Sequence, residues 1–403
     1  MKKREFEQVT ISRRAEKSIA GGHPWVYDSE TDDTGCGADD GDIVDIVGRS
    51  GAYVATGFIN RRSRIRLRVL TRNPNESPAD DRFFARRLES AVAYRRAVMG
   101  GQFDCCRLVY GEADHLPGLT VDRFGGVLVA QTLCLGIEKR KTMILSALAD
   151  MLRAQGEDIR GVYERCDVSV RGLEGMEQTK GWLFCSGSES TETVITENGI
   201  RYYVDFENGQ KTGFFLDQKF NRAAVARLAA GRRVLDCFTH TGSFALNCAA
   251  AGAESVDAVD ISPEAVAQAR RNAELNGLGE KVTFRTENIF DLLPDVKKGE
   301  YDLIILDPPA FTKSRGTIDN AARGYKEINL RAIKALERGG FLATCSCSHF
   351  MDTGRFRAML LDAARDAGAQ LLLVEERQQA CDHPVLMGVP ETAYLKFFIL
   401  RKA

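Results

Sequence analysis

The sequence lacks any apolar run long enough to cross a bilayer. A membrane helix needs roughly 18 consecutive apolar residues, and no segment approaches that length. The first 18 residues are dense in Lys, Arg and Glu and have no apolar stretch of the kind found in signal peptides. We therefore expect a soluble, cytoplasmic protein with no membrane partner.

Net charge and paired cysteines are also scarce. The 55 basic and 56 acidic residues nearly cancel, so any nucleic acid must be held by a local patch rather than by the overall field. The 11 cysteines are odd in number and scattered. Without an export signal, reduced thiols are expected, and a disulfide framework is not.

The chain of 403 residues is long enough for two or three domains. Residues 1–72 have the short, turn-separated strands of a small β domain, and residues 73–190 mix strands with helices. From residue 191 to 403, strands and helices alternate. That alternation predicts an α/β fold with a doubly wound parallel sheet, which binds ligands beyond the carboxyl ends of its strands.

Basic and apolar residues alternate strictly between Arg64 and Val69. This pattern predicts a half-buried strand with Arg64, Arg66 and Arg68 on one face. One interpretation is a stripe that binds the phosphates of a nucleic acid. The other is a sheet edge that charge protects from aggregation.

Three acids and a cysteine follow successive predicted strands of the third domain: Asp236, Asp260, Asp307 and Cys345. The turn after the first strand has one glycine, Gly242, where a dinucleotide-binding loop has three. A carboxylate at Asp236 would complement a cation, and Asp260 could accept hydrogen bonds from a ribose. Together they fit S-adenosylmethionine. The alternatives are a helix cap at Asp236 and a turn residue at Asp260.

Asp307 precedes two prolines that stiffen the next turn, and Phe311 could stack on a planar base. Cys345 and Cys347 lie two positions apart at the end of a later predicted strand. They could be a metal clip, a redox pair, a nucleophile or packing. Zinc could be held by these two cysteines with His349 and the distant Cys381 and His383, but this spacing fits structural zinc sites poorly. Redox motifs favour Cys-x-x-Cys. Cys347 is expected to be pocket wall or packing rather than a second nucleophile.

An ordered set of motifs runs through the chain: Gly22 to Trp25, Arg107 to Asp114, Tyr163 to Arg171, Lys211 to Lys219, Asp236 to Phe244, Asp307 to Phe311 and Thr344 to Ser348. This set resembles the bacterial 23S ribosomal RNA cytosine-C5 methyltransferases. The resemblance implies an RNA-binding PUA barrel, a central α+β domain and a Rossmann-like methyltransferase domain with a seven-stranded sheet. It implies S-adenosylmethionine as cofactor and 23S ribosomal RNA, free or in the large subunit, as partner, with a homodimer as one option.

The resemblance also implies roles for single residues. The expected cofactor-binding residues are Asp236, Gly242, Asp260, Asn288, Phe214, Asp217 and Gln218. Cys345 would be the nucleophile and Asp307 would hold the cytosine edge. His240 receives no role. The rival interpretations are a methyltransferase acting on an exocyclic amine through the Asp-Pro-Pro loop and a non-catalytic RNA-binding or ribosome assembly protein.

Overall fold

The computed structural model describes residues 6–80, 82–311, 318–348 and 350–403. They form two compact units, and the chain passes between the units more than once. The first unit comprises Met1–Val194, Val204–Leu216 and Cys381–Thr392, and the second comprises Ile195–Tyr203, Asp217–Ala380 and Ala393–Ala403. This division differs from the predicted boundaries after residues 72 and 190. Segments distant in sequence join the first unit through contacts that local patterns cannot reveal, such as the hydrogen bond from Tyr94 Oη to the carbonyl of Cys381.

The N-terminal part of the first unit is a small β domain, as predicted. It contains β1 (Gln8–Ile11), α1 (Arg13–Ala20), β2 (Trp25–Tyr27), β3 (Thr31–Asp32), β4 (Ile43–Val47), β5 (Tyr53–Ile59) and β6 (Ile65–Thr71). The strands form one six-stranded sheet in the order β2-β6-β5-β4-β1-β3. Because β6 lies between β2 and β5, its arginines are not on an edge strand.

The rest of the first unit is built around a five-stranded sheet in the order β11-β10-β9-β8-β7. Its elements are α2 (Arg82–Val98), β7 (Cys105–Tyr110), β8 (Leu119–Phe124), β9 (Val127–Thr132), α3 (Leu135–Glu138), α4 (Lys141–Ala154), β10 (Gly161–Cys166) and β11 (Thr179–Cys185). Phe84, Leu88, Ala91 and Val92 are buried on one face of α2, as their spacing predicts. This part is the predicted mixed α+β region.

Strands β12 (Glu192–Glu197) and β13 (Ile200–Asp205) pair with each other. The second unit then continues with α5 (Lys219–Ala226), β14 (Arg233–Cys237), α6 (Ser243–Ala250), β15 (Ser255–Asp260), α7 (Pro263–Leu275), β16 (Val282–Thr286), α8 (Ile289–Asp295), β17 (Leu303–Leu306), α9 (Ile318–Ala335), β18 (Phe341–Ser346), α10 (Thr353–Asp366), β19 (Leu371–Arg377) and β20 (Lys396–Lys402). Alternation of strand and helix is the sequence signal that predicted this unit.

The seven strands β14 to β20 form one sheet in the order β16-β15-β14-β17-β18-β20-β19. Strands β14 to β18 pair in parallel, whereas β20 runs antiparallel to both β18 and β19. The predicted seven-stranded, doubly wound sheet is therefore confirmed. The strand order reverses between β14 and β17, which is the position where such sheets open a ligand crevice.

The interior of the second unit is apolar. All four residues of β17 are buried, and α9 and α10 cover the sheet with buried side chains that include Tyr325, Ile328, Phe356 and Leu360. In the described parts of the chain, no helix is both long and apolar enough to cross a membrane.

Candidate active site

Four predicted residues lie at the carboxyl edge of the sheet. Asp236 lies near the end of β14, Asp260 ends β15, Asp307 directly follows β17, and Cys345 lies near the end of β18. The parallel register sets Asp236 opposite Ile305 of β17. The sheet therefore gathers these four residues at the edge where their sequence positions predicted them.

Asp236 supports the turn between β14 and α6. It is fully buried, and its Oδ2 accepts hydrogen bonds from Thr239 Oγ1 at 2.6 Å and from the main-chain N–H of Ala245 at 3.0 Å. Ala245 lies in the first turn of α6, so the carboxylate does help to cap that helix. Asp236 Oδ1, however, is buried without a hydrogen-bond partner among the described residues.

This second oxygen matters because a buried acceptor without a donor is costly. Burial raises the pKa of Asp236 to about 7, and the nearby carboxylates of Asp307 and Asp260 also raise it, against the hydrogen bonds that lower it. A ligand that brings a positively charged donor to Oδ1 would satisfy the acceptor and favour the ionised form. The ammonium group of S-adenosylmethionine is such a donor, so the residue fits that cofactor.

The turn itself has an unusual backbone. Phe238, His240 and Gly242 have φ values of 64°, 51° and 81°, and the first two are costly for residues with a Cβ. A Cβ at Gly242 would meet the Cβ of Ala269 in α7 at 3.1 Å. The positive φ of Gly242 and its packing against α7 already explain the glycine, and its implied cofactor-binding role stays a prediction.

Asp260 joins two loops at the same edge. Its Oδ2 accepts from the N–H of His240 at 2.8 Å, and its Oδ1 accepts from the N–H of Ser262 at 3.0 Å. Asp260 therefore has the turn role that was its alternative interpretation. Its bond to the N–H of His240 also holds the main chain of that residue at the sheet edge. A carboxylate oxygen can accept a further bond, so both oxygens remain available to ribose hydroxyls.

Asn288 begins α8. Its side-chain oxygen accepts from the N–H of Phe290 at 3.1 Å, and its Nδ2 donates to Asp291 at 2.9 Å. The amide thus acts as a helix N-cap. Its predicted place near the adenine of the cofactor stays a prediction.

A direct hydrogen bond joins Cys345 and Asp307. Cys345 Sγ donates to Asp307 Oδ1 at 2.8 Å. Burial raises the pKa of both groups, and the adjacent carboxylate raises that of the thiol further. The resting pair is therefore a protonated thiol directed at a carboxylate, which is the arrangement of a nucleophile with its proton acceptor.

Gln218 lies against this pair. Its Nε2 is 3.1 Å from Asp307 Oδ1 and 3.4 Å from Cys345 Sγ. The resemblance implied that Gln218 closes the cofactor pocket, whereas the structure places its amide on the predicted catalytic residues. Gln218 ends a short 3₁₀ turn before α5, and no sequence signal links that turn to β17 or β18.

Phe214 and Asp217, the other two cofactor-binding residues that the resemblance implies in the segment before α5, belong to different units. Asp217 belongs to the second unit, where its Oδ2 accepts from Tyr394 Oη at 2.5 Å and its carbonyl accepts from the N–H of Ala380 at 2.8 Å. Phe214 is buried and belongs to the first unit. Their cofactor-binding roles stay predictions.

Phe311 packs into an aromatic group. Its ring centroid is 4.6 Å from that of Tyr325 and 6.0 Å from that of Phe290. The ring is partly buried, and it packs against the core of the second unit. Its predicted stacking on a base is not tested by these contacts.

Lys396 is a residue that sequence reasoning missed. It lies on β20 directly opposite Ser346, and its Nζ donates to the carbonyls of Ser348 at 2.6 Å and Tyr394 at 2.7 Å. Burial lowers its pKa to about 8. The side chain anchors the segment that follows Cys345, and only the pairing of β18 with β20 could have revealed this.

The predicted arginine stripe is wrong for Arg68. This side chain is buried in the first unit, where it pairs with Glu174 at 2.8 Å and Glu112 at 3.4 Å. Arg66 is mostly buried and lies 3.8 Å from Asp33, whereas Arg64 is exposed. The three arginines therefore form neither a continuous phosphate-binding stripe nor a charged sheet edge.

The alternatives for the cysteine pair involve residues of both units. Cys345 and Cys347 belong to the second unit and are not joined in a disulfide, and Cys347 is half-buried. Cys381 and His383 belong to the first unit, and His349 lies outside the described residues. Over the described ranges, one group of side chains has metal-binding spacing: Glu138, Glu164 and Cys166. Its two glutamates form ion pairs with Lys141, so they already face a cation of the chain.

Comparison with known proteins agrees with this geometry. Residues 175–401 match the model of the S-adenosylmethionine-dependent methyltransferase family, and residues 9–72 match a PUA-like domain. Among solved structures, a Streptococcus mutans protein assigned as a SAM-dependent methyltransferase is 20% identical with a TM-score of 0.80, covering 98% of this chain and 100% of that one. A protein assigned as a methyltransferase and solved with SAH is 19% identical with a TM-score of 0.82, over the same shares.

Curated relatives match over nearly the whole chain. Ribosomal RNA large subunit methyltransferase I of Klebsiella pneumoniae (strain 342) is 40% identical over 401 residues, which covers 98% of each chain. The protein of the same name from Escherichia coli O139:H28 is 40% identical over 398 residues, covering 98% of this chain and 99% of that one. The chain therefore belongs to the S-adenosylmethionine-dependent methyltransferases and, among them, to the ribosomal RNA large subunit methyltransferase I family.

Proposed function

We propose that this protein methylates C5 of a cytosine in 23S ribosomal RNA through a transient bond between Cys345 Sγ and C6 of the base. The observation that carries the proposal is the 2.8 Å contact between the Cys345 thiol and Asp307. It lies at the sheet edge that also holds Asp236 and Asp260. A methyltransferase acting on an exocyclic amine has no use for a thiol at this place.

The chemistry explains why a thiol is needed. C5 of cytosine is a poor nucleophile until another group adds to C6 and pushes electron density onto C5. A thiolate is strongly nucleophilic and is also able to leave again, which suits a covalent intermediate that must break down. Bound S-adenosylmethionine supplies the electrophilic methyl group.

Asp307 serves as the proton acceptor in the first step. As the Sγ–C6 bond forms, the thiol proton passes to Asp307 Oδ1. The electrons of the C5–C6 double bond move onto C5 and, through C4, onto N3. The raised pKa of Asp307 suits this role, because a more basic carboxylate takes the proton more readily. The protonated carboxyl then donates to N3, where negative charge develops, and its other oxygen accepts from the N4 amino group. After methylation, loss of the C5 proton to a base restores the double bond and releases Cys345.

The proposed contacts of Asp236 and Asp260 with the cofactor belong to the second unit. The buried Oδ1 of Asp236 would accept from the ammonium group and Asp260 from the ribose hydroxyls. Gly242, Asn288, Phe214 and Asp217 keep the cofactor-binding roles that the resemblance implies. Gln218 keeps its implied cofactor-binding role as well, and its amide also contacts Asp307 and Cys345.

The RNA substrate rests on the family and on the PUA-like domain. The relatives' name refers to the RNA of the large ribosomal subunit, and the exposed Arg64 of the PUA-like domain would contact phosphates. The target cytosine must be unpaired or flipped out of its helix to reach a thiol at a strand end. Phe311 would then stack on the base, and Cys347 would form part of the pocket wall.

Nucleoside mass spectrometry of ribosomal RNA tests the proposal. RNA from cells without the protein should gain 5-methylcytidine when incubated with the protein and S-adenosylmethionine. Cys345→Ala should abolish this gain while S-adenosylmethionine still binds, and Cys347→Ala should retain most activity as the matched control. Turnover by Cys345→Ala would contradict the covalent route, and N4-methylcytidine as product would favour the exocyclic-amine reaction.

A further inference from the structure

The Gln218 amide is held by a chain of hydrogen bonds that leads away from the catalytic pair. Gln218 Oε1 accepts from Asn221 Nδ2 at 2.7 Å, and Asn221 Oδ1 accepts from Arg377 Nε at 2.9 Å. Gln218 and Asn221 are buried, with exposed fractions of 3% and 1%. Asn221 lies on α5 and Arg377 ends β19, so two separate elements hold the amide in place.

The direction of every bond in this chain is determined. Arg377 can only donate, so Asn221 must face it with its oxygen. Asn221 Nδ2 also lies 3.3 Å from the carbonyl of Gln378, which can only accept. Asn221 therefore donates to Gln218 Oε1, and Gln218 must present its Nε2 to Asp307 and Cys345.

We propose that Arg377 and Asn221 are positioning residues that hold Gln218 as a hydrogen-bond donor to both members of the Asp307–Cys345 pair. Gln218 contacts both acceptors, so its N–H groups stabilise the negative charge on the carboxylate before proton transfer and on the sulfur afterwards. The inference rests on the proposed role of Cys345. It adds that the orientation of the Gln218 amide controls the reactivity of the Cys345 thiol.

Asn221→Asp tests the direction of the hydrogen bonds that run from Arg377 through Asn221 to Gln218. The new carboxylate still accepts from Arg377 but has no N–H for Gln218. The Gln218 amide is then expected to turn over and present its oxygen to Asp307 and Cys345. Loss of a donor to a charged group costs about 1.5–3 kcal/mol, and the carboxylate loses the same donor before proton transfer, so only part of this cost reaches the rate. Alkylation of Cys345 by iodoacetamide near pH 8 should therefore slow by up to about tenfold, with its pH midpoint moved upward.

Asn221→Ala separates this effect from a loss of packing. It leaves the Gln218 amide free to keep its donor toward the pair, so its alkylation rate should fall between those of the wild type and Asn221→Asp. A structural role predicts the opposite order, because alanine leaves a cavity and aspartate does not. Gln378→Glu adds the same charge on an exposed side chain and should leave the rate unchanged.

Mass spectrometry of the peptide that carries Cys345 gives these rates without any methyl transfer. Should Asn221→Asp fail to fold, Gln218→Met removes the donor directly and should slow alkylation by a similar factor. An unchanged pH midpoint in Asn221→Asp or in Gln218→Met, or a slower rate in Asn221→Ala than in Asn221→Asp, would overturn the inference. Methylation by Cys345→Ala would instead overturn the proposed function, so the two failures are distinguishable.

Discussion

Asp307 Oδ1 accepts a hydrogen bond from Cys345 Sγ at 2.8 Å, and the two residues come from neighbouring parallel strands. Neither β17 nor β18 alone could bring a carboxylate to a thiol in this way. The contact exists because the strands pair with Thr344 opposite Leu306, so the residues that follow them meet.

Asp307→Asn should therefore slow methyl transfer by about 100-fold or more, since it removes the proton acceptor and leaves the thiol without a base. Single-turnover methylation of ribosomal RNA measures the rate. S-adenosylmethionine affinity, measured by calorimetry, should stay within about threefold of the wild type and is the control. A rate close to that of the wild type would contradict the role given to Asp307.

Binding of S-adenosylmethionine should strengthen as pH rises toward neutrality. Burial raises the pKa of Asp236 to about 7, so below that pH most of the carboxyl is neutral and must lose its proton to bind an ammonium group. Affinity should rise up to about tenfold per pH unit between about pH 5.5 and 7 and then level off. Calorimetry across that range is the measurement.

The Asp236→Asn variant supplies the control for this pH dependence. It should bind weakly and without the slope, and a slope that persisted in it would assign the titration to another group. The stability of the free protein should change with pH in the opposite direction. The unfolded chain releases this proton at lower pH than the folded one, so the free energy of unfolding should fall as pH rises from about 4 to 7.

A buried ion pair in the second unit should be sensitive to removal of one partner. Arg222 Nη1 lies 2.6 Å from Glu197 Oε1, and both side chains are almost fully buried. Glu197→Ala would leave an uncompensated guanidinium and should lower the free energy of unfolding by about 3–5 kcal/mol. Denaturant unfolding measures this loss, and the double variant Glu197→Leu/Arg222→Met should recover most of it. An equal loss in both variants would point to packing instead of charge.

The arginines of β6 should separate into two roles. Arg64→Ala should weaken RNA binding and reduce the slope of log K against log salt by about 1, because one phosphate contact is lost. Arg68→Ala should instead destabilise the first unit, since it removes the guanidinium that faces the buried carboxylate of Glu174. Filter binding at several salt concentrations and thermal unfolding test the two variants in parallel. A lower salt slope in Arg68→Ala alone would reverse the assignment.

The sequence predicted the second unit well because its signals are local. Several strands end in or just before an acid, and Ser262, a typical helix N-cap residue, caps α7. The positions of Asp236, Asp260, Asp307 and Cys345 at one edge could be predicted because parallel sheets of this class place their strand ends there. The end of a strand can be recognised in the sequence, and parallel pairing then brings the residues at these ends to one edge of the sheet.

Partners from distant elements could not be predicted. Arg68 alternates with apolar neighbours as an exposed arginine would, and nothing local indicates that Glu112 and Glu174 cover it. Gln218 lies on a short turn before α5, yet its amide meets residues after β17 and within β18. Such contacts depend on how elements pack, and a periodic pattern carries no information about them.

The last strand of the chain lies inside the sheet, between β18 and β19. During synthesis on the ribosome, β18 therefore lacks its neighbour on that side until β20 has emerged. Lys396, which anchors the segment after Cys345, arrives with the same strand. Cys345, the proposed nucleophile, thus reaches its final surroundings only when translation of this region is complete, so a nascent chain that stops short of β20 should carry no working site.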